Sequence, residues 1–490
     1  MKRPFPGAAR AAGWARAAAC AGVAAWAFAG FATAAVPRDT PAGEQRFKEL
    51  YQELVETNTA LSAGNCTLAA ERMAARLKAA GFPDSDLHPF ATPEHPKEGG
   101  LVAIYPGRDP KLKAILLLAH IDVVEAKRED WTRDPFKLVE EDGYYYARGA
   151  VDNKAEAAIW VDTLIRYVHE KYRPARTLKL ALTCGEEATG AFNGANWLIK
   201  NRRDLIDAGF ALNEGAWGEL DAQGNRVSHD IQAGEKASQD YQLEVRNPGG
   251  HSSRPVKDNA INRLAAALGR IAAYDFPVQF NDANRAYFAG MAKIQAAKGN
   301  ADVAAAMLAF LKDPNDAHAL AFVSEKDPTW NATLRTTCVA TLLNAGHASN
   351  ALPQRARATV NCRVFPGGSL EDVRAKLSEL SADPQVAVTM EDSGWPIAPA
   401  PPLTRAILGP MEKLTDEFWP GVPVLPIMQP WATDGIFTNA AGIPTYGIQA
   451  VFVGPDLGRI HGLNEYISVK SLLEAREFLY RLVKLYADQH

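Results

Sequence analysis

The sequence predicts an α/β protein: a mostly parallel, twisted sheet with helices on both faces, joined to a smaller inserted α+β unit. Apolar runs of strand length alternate with helical patterns in the first and last parts of the chain, as a parallel sheet requires. Between these parts, period-two alternation predicts a small antiparallel sheet. The 490 residues are enough for two to three domains and a large core.

The first 35 residues have the composition of a signal peptide. They carry four basic residues and no acid, and the apolar run from Ala17 to Phe31 leads to the small residues Ala32-Thr33-Ala34. That run is short for a membrane span, so we expect cleavage near Ala34 or Ala35 and no stable membrane insertion of the mature chain. The alternative is an uncleaved N-terminal anchor. Export would place the protein in the periplasm or outside the cell.

Residues 36–236 are predicted to form the first part of the α/β domain. Glycine, proline and polar clusters separate its periodic segments. Helices are expected within 44–80, at 153–172 and at 192–201, and strands at 101–105, 113–119, 177–184 and 210–214.

Residues 237–393 are predicted to form a ferredoxin-like lid and dimerisation domain, with a mostly helical insertion at about 274–327. The second part of the α/β domain, residues 394–490, follows a proline-rich return and ends in an amphipathic helix. The lid strands are expected at 241–245, 331–343, 355–365 and 386–390, and its helices at 260–273 and 370–380.

Composition argues against several classes of protein. Acidic residues outnumber basic ones, 57 to 53, so nothing suggests nucleic acid as a partner. No Gly-x-Ser-x-Gly elbow and no phosphate loop occur in the sequence, which disfavours serine hydrolases and nucleotide-binding proteins. The cysteines beyond the signal segment are too few for a disulfide framework and lack zinc-finger spacing. One disulfide is compatible with export, but the sequence does not name the pair.

Acids and histidines close several of the predicted strands or follow them in glycine-rich turns. They are His120, Asp122, Asp152, Glu186, Glu187, Glu214 and His461. Ligands of open α/β sheets bind at the carboxyl ends of the strands, so these side chains are expected to meet. A crowd of buried carboxylates needs cations to be stable. Two histidines and three carboxylates suit a pair of zinc ions with one carboxylate bridging them.

Six motifs in order resemble those of the dizinc peptidases that include aminoacylase, succinyl-diaminopimelate desuccinylase, glutamate carboxypeptidase and carboxypeptidase S. Each motif alone is weak, but six in order at suitable spacing are specific. The resemblance runs from about Phe47 to the end and implies a zinc exopeptidase catalytic domain. The motifs are His120-x-Asp122-Val-Val, Gly149-Ala-Val-Asp152, Cys184-Gly-Glu186-Glu187, Asn213-Glu214-Gly215, Gly250-His251-Ser252-Ser253 and His461-Gly-x-Asn464-Glu465.

The resemblance implies a ligand set for two Zn²⁺ ions per chain, which Co²⁺ or Mn²⁺ could replace. His120 and Glu214 would hold one ion, Glu187 and His461 the other, and Asp152 would bridge them. In the family the position of Glu214 is often aspartate, and glutamate there resembles the carboxypeptidase S branch.

One position departs from the family pattern. Asn153 stands where the family has a second acid, a change that we expect to be tolerated because that position does not bind metal. The family also implies a cis peptide bond between Asp152 and Asn153, which a non-proline residue adopts only at a constrained site.

The resemblance also implies three catalytic roles. Asp122 would orient the imidazole of His120, and Glu186 would be the general base that moves a proton from water to the departing amide nitrogen. His251 would stabilise the oxyanion from the lid domain, usually that of a partner subunit, and this implies a homodimer through the lid.

The expected substrates carry an amide bond next to a free α-carboxylate. Asn350 and Arg363 resemble family residues that hold this carboxylate, and Thr433 is a weaker candidate for the same task. The Glu214 pattern places a carboxypeptidase acting on short peptides first, with hydrolysis of N-acyl amino acids as the alternative. A non-catalytic binding module with the same fold is the third reading, which the intact ligand set and Glu186 disfavour.

Overall fold

The computed structural model describes residues 39–187 and 192–489. The predicted signal segment, residues 1–35, falls outside these ranges. None of the helices in the described ranges has the length and hydrophobicity needed to cross a membrane.

Helices and strands occur throughout the described chain, together with three short 3-10 turns. The α-helices are α1 Pro41–Glu56, α2 Cys66–Ala80, α3 Lys154–His169, α4 Gly194–Asn201, α5 Arg203–Ile206, α6 Ala260–Ala272, α7 Asp282–Ala297, α8 Ala301–Lys312, α9 Ala317–Lys326, α10 Pro328–Leu334, α11 Leu370–Ser381, α12 Arg405–Phe418, α13 Gly435–Ala440 and α14 Val469–Ala487. The strands are β1 Leu87–Phe90, β2 Gly100–Tyr105, β3 Ile115–His120, β4 Val139–Glu141, β5 Tyr144–Tyr146, β6 Leu178–Thr183, β7 Phe210–Asn213, β8 Gly218–Leu220, β9 Arg226–Glu235, β10 Ala237–Arg246, β11 Gly250–His251, β12 Thr337–Ala345, β13 Ala351–Leu352, β14 Arg355–Val364, β15 Ala387–Met390, β16 Val424–Gln429, β17 Thr445–Gly447, β18 Phe452–Val453 and β19 Tyr466–Ser468.

A large mixed sheet forms the centre of the molecule. Its strand order is β1-β2-β6-β3-β7-β17-β9-β8-β18, with β16 paired to β9. The central strands β6, β3, β7 and β17 are mutually parallel, whereas β1 and β2 add an antiparallel edge. The predicted α/β fold with a mostly parallel sheet is therefore confirmed.

Alternation along β3 explains why helices cover both faces of this sheet. Ile115 and Leu117 belong to the core that contains α1, α3 and α14, and Leu116 and Leu118 belong to a second core with α4 and α5. Successive side chains of a strand point to opposite faces, so a strand buried on both faces is apolar throughout. This is why the run before His120 has no polar residue.

The segment 237–393, called the lid segment below, contains a separate four-stranded antiparallel sheet. The chain order β10-α6-β12-β14-α11-β15 and the sheet order β12-β14-β10-β15 give a ferredoxin-like arrangement. Leu243 and Val360 of the sheet pack with Leu264 of α6 and Leu377 of α11 in a core of their own. The exact boundaries of the predicted domains stay predictions.

The helical insertion is longer than the sequence predicted. Residues 331–334, expected to begin a strand, belong to α10, whose first turn contains Pro328 after the N-cap Asp327. The strand β12 starts only at Thr337. Helices α7 to α10 pack together around Phe288 and Phe310 and against Leu425 of β16. The insertion therefore lies in sequence within the lid segment but packs against a strand of the central sheet.

Two disulfides join the four described cysteines, whereas the sequence indicated only that one was compatible with export. Cys66 at the start of α2 is bonded to Cys184, which follows β6. Cys338 and Cys362 link β12 to β14 at directly opposed positions. The sequence could not name either pair because both connect segments that only the folded sheets bring together.

Candidate active site and metal centre

Three neighbouring strands deliver the candidate residues to one edge of the central sheet. β6, β3 and β7 are adjacent and parallel, so their carboxyl ends lie side by side. His120 ends β3, Glu186 and Glu187 follow β6, and Glu214 follows β7. The parallel register thus gathers residues that are far apart in sequence.

His120 contacts two of the predicted ligands through one ring nitrogen. Its Nε2 lies 3.0 Å from Oδ1 of Asp152 and 3.2 Å from Oε1 of Glu214. Its Nδ1 lies 3.1 Å from the main-chain oxygen of Asp122. Donation from Nδ1 to that carbonyl orients the buried imidazole with Nε2 toward the carboxylates.

Asp122 also holds the neighbouring loop. Its carboxylate accepts a hydrogen bond from the main-chain N–H of Glu187 at 3.0 Å and a longer one, 3.4 Å, from that of Glu186. The carboxylate lies 3.5 Å from Nδ1 of His120. Asp122 thus links the end of β3 to the loop after β6, as well as orienting His120.

His461 completes the cluster from the last part of the chain. Its Nε2 lies 2.9 Å from Oε2 of Glu187 and 3.2 Å from Oδ2 of Asp152. Asp152 therefore has one carboxylate oxygen beside each imidazole. This is the placement required of a carboxylate that bridges two metal ions.

The main chain around Asp152 is fixed by a buried acid that sequence reasoning did not assign. Glu465 accepts hydrogen bonds from the N–H groups of Gly149, Val151 and Asp152 at 3.1, 2.8 and 3.2 Å. Its charge is paired with Arg148, whose Nη1 lies 2.6 Å away. The Asp152–Asn153 peptide is cis, as the family resemblance implied. The sequence feature that could have identified Glu465 is its position in the motif that begins with His461.

The electrostatics are those of a poorly solvated site rich in negative charge. Hydrogen bonds to Asp152 and Glu187 raise the pKa of His461 to about 10. Burial, and then the charge of Asp152, raises the pKa of Glu187 to about 7. Burial raises the pKa of Glu186 well above its usual value, and His120 counters this only in part. The carboxylates therefore attract positive charge, from protons or from metal ions.

The residues fit a metal centre by their chemistry and spacing. Ligand atoms of His120, Glu186 and Glu214 lie within 4.8 Å of one another, and so do those of His120, Asp152 and Glu187. Imidazole nitrogens and carboxylate oxygens are the donors that zinc accepts. The cluster is thus a candidate site for a dinuclear metal centre.

A cavity of about 550 Å³ opens over this cluster. Its polar lining includes Arg363 and Thr433, and three tryptophans, Trp217, Trp395 and Trp431, supply much of its apolar wall. The rings of Trp217 and Trp431 are stacked, with centroids 5.9 Å apart. This cavity combines candidate metal ligands, one guanidinium and an aromatic wall. Such a lining suits a substrate that carries both a carboxylate and an apolar group.

Only some of the residues predicted to contact substrate lie at this cavity. Arg363 lines the cavity. Thr433 also borders it, but its hydroxyl donates to Glu235 at 2.9 Å and accepts from the side chain of Asn213 at 3.0 Å. His251 and Asn350 are exposed, and neither lines this cavity.

Comparison with known proteins places these features in one family. The sequence profile of Peptidase family M20/M25/M40 matches residues 116–485. The N-fatty-acyl-amino acid synthase/hydrolase PM20D1 of Homo sapiens is 29% identical over 389 residues, 77% of this chain and 75% of the relative. Carboxypeptidase S-like 2 of Dictyostelium discoideum is 28% identical over 396 residues, 78% of this chain and 74% of the relative.

The fold has a close counterpart among solved structures. The M20 family metallo-carboxypeptidase Sso-CP2 from Sulfolobus solfataricus superposes with a TM-score of 0.67 at 19% identity, covering 90% of this chain and 99% of that one. The profile match extends over most of the chain and includes every candidate metal ligand. The chain therefore belongs to Peptidase family M20/M25/M40, a family of metal-dependent hydrolases.

Proposed function

We propose that this protein is a dizinc hydrolase that cleaves an amide bond next to a free α-carboxylate, acting as a carboxypeptidase on short peptides. The observation that carries the proposal is the placement of Asp152 between the imidazoles of His120 and His461, at the floor of a cavity that also contains Arg363. A binding module would need neither this ligand pair nor a candidate general base, Glu186, beside it.

Two zinc ions would be held by residues of this chain alone. His120 and Glu214 would bind one ion, Glu187 and His461 the other, and Asp152 both; cobalt or manganese could replace zinc. When bound, such a pair lowers the pKa of a water molecule and polarises the substrate carbonyl.

Glu186 is the proposed general base. Burial and neighbouring carboxylates raise its pKa, so it holds a proton more readily than an exposed glutamate. It would accept the proton of the attacking water and deliver it to the amide nitrogen that leaves. The hydrogen bonds from the loop N–H groups to Asp122 keep Glu186 at this position.

Arg363 is the proposed partner of the substrate carboxylate within one chain. It lies on β14 directly opposite Ser238 of β10, and both line the cavity. A guanidinium can form two parallel hydrogen bonds with a carboxylate. We leave Thr433 out of this role because its hydroxyl is already engaged by Glu235 and Asn213.

A homodimer through the lid segment would bring in the remaining predicted residues. The edge strand β12 exposes Val339, Leu342 and Leu343, each more than 60% accessible. Long apolar edges of this kind pair readily with a second copy. His251 and Asn350, which lie outside the cavity of their own chain, would then serve the site of the other subunit.

We further propose that the protein is exported to the periplasm or secreted. The N-terminal segment has the charge and hydrophobicity pattern of a signal peptide. The two disulfides are of the kind that persists in an oxidising compartment.

Hydrolysis of N-acyl amino acids is a second candidate activity. The stacked Trp217 and Trp431, with Trp395 nearby, give the cavity an aromatic wall that favours an apolar acyl group. The human relative is an N-fatty-acyl-amino acid synthase/hydrolase, which favours the same activity.

Paired substrate panels test the proposal. Dipeptides and N-acyl amino acids would be compared, each beside a control in which the terminal carboxylate is amidated. We expect much faster turnover with the free carboxylate than with the amide. Arg363→Met should raise KM for the free-carboxylate substrates while leaving the slow reaction of the amidated controls unchanged. Equal turnover of acid and amide forms would contradict the assignment of Arg363. Glu186→Gln should bind metal but lose most of kcat, since only proton transfer is removed.

A further inference from the structure

The dipeptide Thr433-Asp434 lies just before α13 and is buried, with 3% and 1% of its surface accessible. Each of its side chains contacts a segment that carries part of the active site. Thr433 accepts a hydrogen bond at 3.0 Å from the amide of Asn213, the residue that precedes Glu214. The hydroxyl and N–H of Thr433 both donate to Glu235, at 2.9 and 2.8 Å.

Asp434 joins the two ends of the loop that contains Glu186. One carboxylate oxygen accepts from the hydroxyl of Thr183, the last residue of β6, at 2.7 Å, and the other accepts from the amide of Asn193 at 2.7 Å. Asn193 is the N-cap of α4, where its oxygen accepts from the N–H of Asn196 at 2.8 Å. The carboxylate thus ties the end of a strand to the start of a helix across the base of this loop.

Independent contacts show how closely these loop ends approach. The N–H of Gly194 donates to the carbonyl of Cys184 at 2.7 Å, and the Asn193 amide also reaches the carbonyl of Gly185 at 3.3 Å. A β-carbon added to Gly185, which has φ of +91°, would lie 1.7 Å from the carbonyl oxygen of Phe192. The two ends of the loop are therefore closely packed, and the carboxylate of Asp434 bonds to both of them.

We propose that Thr433 and Asp434 are positioning residues that fix the loop of Glu186 relative to Glu214. They act through Thr183, Asn193 and Asn213 and touch no reacting atom. The inference rests on the proposed role of Glu186 as the general base. It predicts that the geometry of two hydrogen bonds, rather than the charge of Asp434, is what catalysis needs.

Two substitutions at one position separate geometry from charge. Asparagine at position 434 can accept from Asn193 through its oxygen and donate to the hydroxyl of Thr183, whose own hydrogen can turn to the carbonyl of Ala119, 3.3 Å away. Alanine loses both bonds. We therefore expect Asp434→Ala to lower kcat about 100-fold, as small misplacements of catalytic groups do, with little change in KM, and Asp434→Asn to retain most of kcat.

Thr438→Val is the matched control for lost stability. Thr438 is buried in α13, and its hydroxyl bonds to Gly435 and Thr445 and to none of the described residues of the loop that contains Glu186. This variant should lower Tm and leave kcat unchanged. A kcat of Asp434→Ala equal to that of Thr438→Val would overturn the proposal. So would an Asp434→Asn variant that is as impaired as Asp434→Ala.

Amide hydrogen exchange gives a readout that needs no substrate. In Asp434→Ala the amides of residues 184–187 and 192–196 should exchange faster than in wild type, while Asp434→Asn and Thr438→Val should leave them protected. If the wild-type protein cleaves none of the substrates offered, the proposed function is wrong. The hydrogen-exchange measurement would still test whether Asp434 positions the loop, because it needs no substrate. Unchanged exchange in Asp434→Ala would refute it.

Discussion

The Nε2 atom of His461 lies 3.2 Å from Oδ2 of Asp152, a contact that joins the last part of the chain to the turn after β5. The opposite oxygen of the same carboxylate lies 3.0 Å from His120. The carboxylate of Asp152 thus contacts both imidazoles, one through each oxygen. Because one carboxylate serves both imidazoles, its loss should disturb both proposed metal sites together.

Asp152→Asn is therefore expected to bind fewer than two zinc ions per chain and to lose activity more than about 100-fold, since changes to groups that only orient metal ligands already cost up to that much. Elemental analysis of the purified variant and its kcat/KM check this. Asp456→Asn is a suitable control, because that exposed carboxylate accepts from the hydroxyl of Tyr466 and lies outside the cluster. A full complement of zinc in Asp152→Asn would argue against bridging.

The disulfide between Cys66 and Cys184 should matter for activity as well as for stability. Cys184 lies two residues before Glu186, so the bond anchors the same loop to α2. Replacing both cysteines by alanine should cost about 2–5 kcal/mol of unfolding free energy and also lower kcat. The matched pair Cys338 and Cys362 lies within the lid sheet, and its removal should lower stability but leave kcat unchanged. Equal effects of the two double variants on kcat would contradict this role.

If the protein is a dimer through β12, one substitution on that strand should convert it to a monomer. Leu342 on β12 is 67% accessible, so Leu342→Glu should leave the fold intact and place a charge on the edge that would pair. Sedimentation velocity should show dimers for wild type and monomers for the variant, with activity falling if His251 acts between subunits. Leu308→Glu is the control, since Leu308 is 56% accessible on α8, outside the lid sheet. A wild type that is monomeric and fully active would disprove the dimer.

Buried His229 should make the protein sensitive to acid. It packs edge-on against Trp419 and Phe478 and pairs through Nδ1 with the hydroxyl of Thr415 at 2.9 Å. Burial lowers its pKa to about 3. The imidazole therefore stays neutral in the folded state at pH values where the unfolded chain, with a pKa near 6.5, binds a proton. The contribution of His229 to stability is complete above pH 6.5 and is lost as the pH falls toward 3.

Below pH 6 the free energy of unfolding should fall with decreasing pH in both proteins. The slope should be steeper in wild type than in His229→Gln, by about 1.4 kcal/mol per pH unit. Urea unfolding of both proteins from pH 7 to pH 4 measures this difference and cancels the contributions of other groups. Parallel pH dependences would show that His229 takes up its proton in the folded state.

Much of the fold follows from periodicity in the sequence. The apolar run before His120 predicted a strand buried on both faces, and β3 is one. The strand β9 was missed, because His229 and Asp230 interrupt its apolar pattern although both are buried in the structure. The start of β12 was misplaced because Pro328 begins a helix after a good N-cap, a choice that strand propensity alone does not show.

The candidate metal ligands could be predicted because each sits at a strand end or in a motif of fixed order. The groups that position them could not. Glu235, Asp434 and Glu465 act through contacts with segments remote in sequence, and only the folded chain shows which acids are buried together. Thr433 is an example. Its motif suggested a contact with substrate, but the sequence does not show that its hydroxyl donates a hydrogen bond to Glu235.

A zinc titration of the metal-free protein tests the central proposal most directly. Protein stripped by exhaustive chelation would receive zero to four equivalents of zinc, and cleavage of a dipeptide or an N-acyl amino acid would be measured at each step. We expect no turnover without metal and a rise that levels off at about two equivalents, as one bridging and four terminal ligands require. Full turnover by the stripped protein would contradict it.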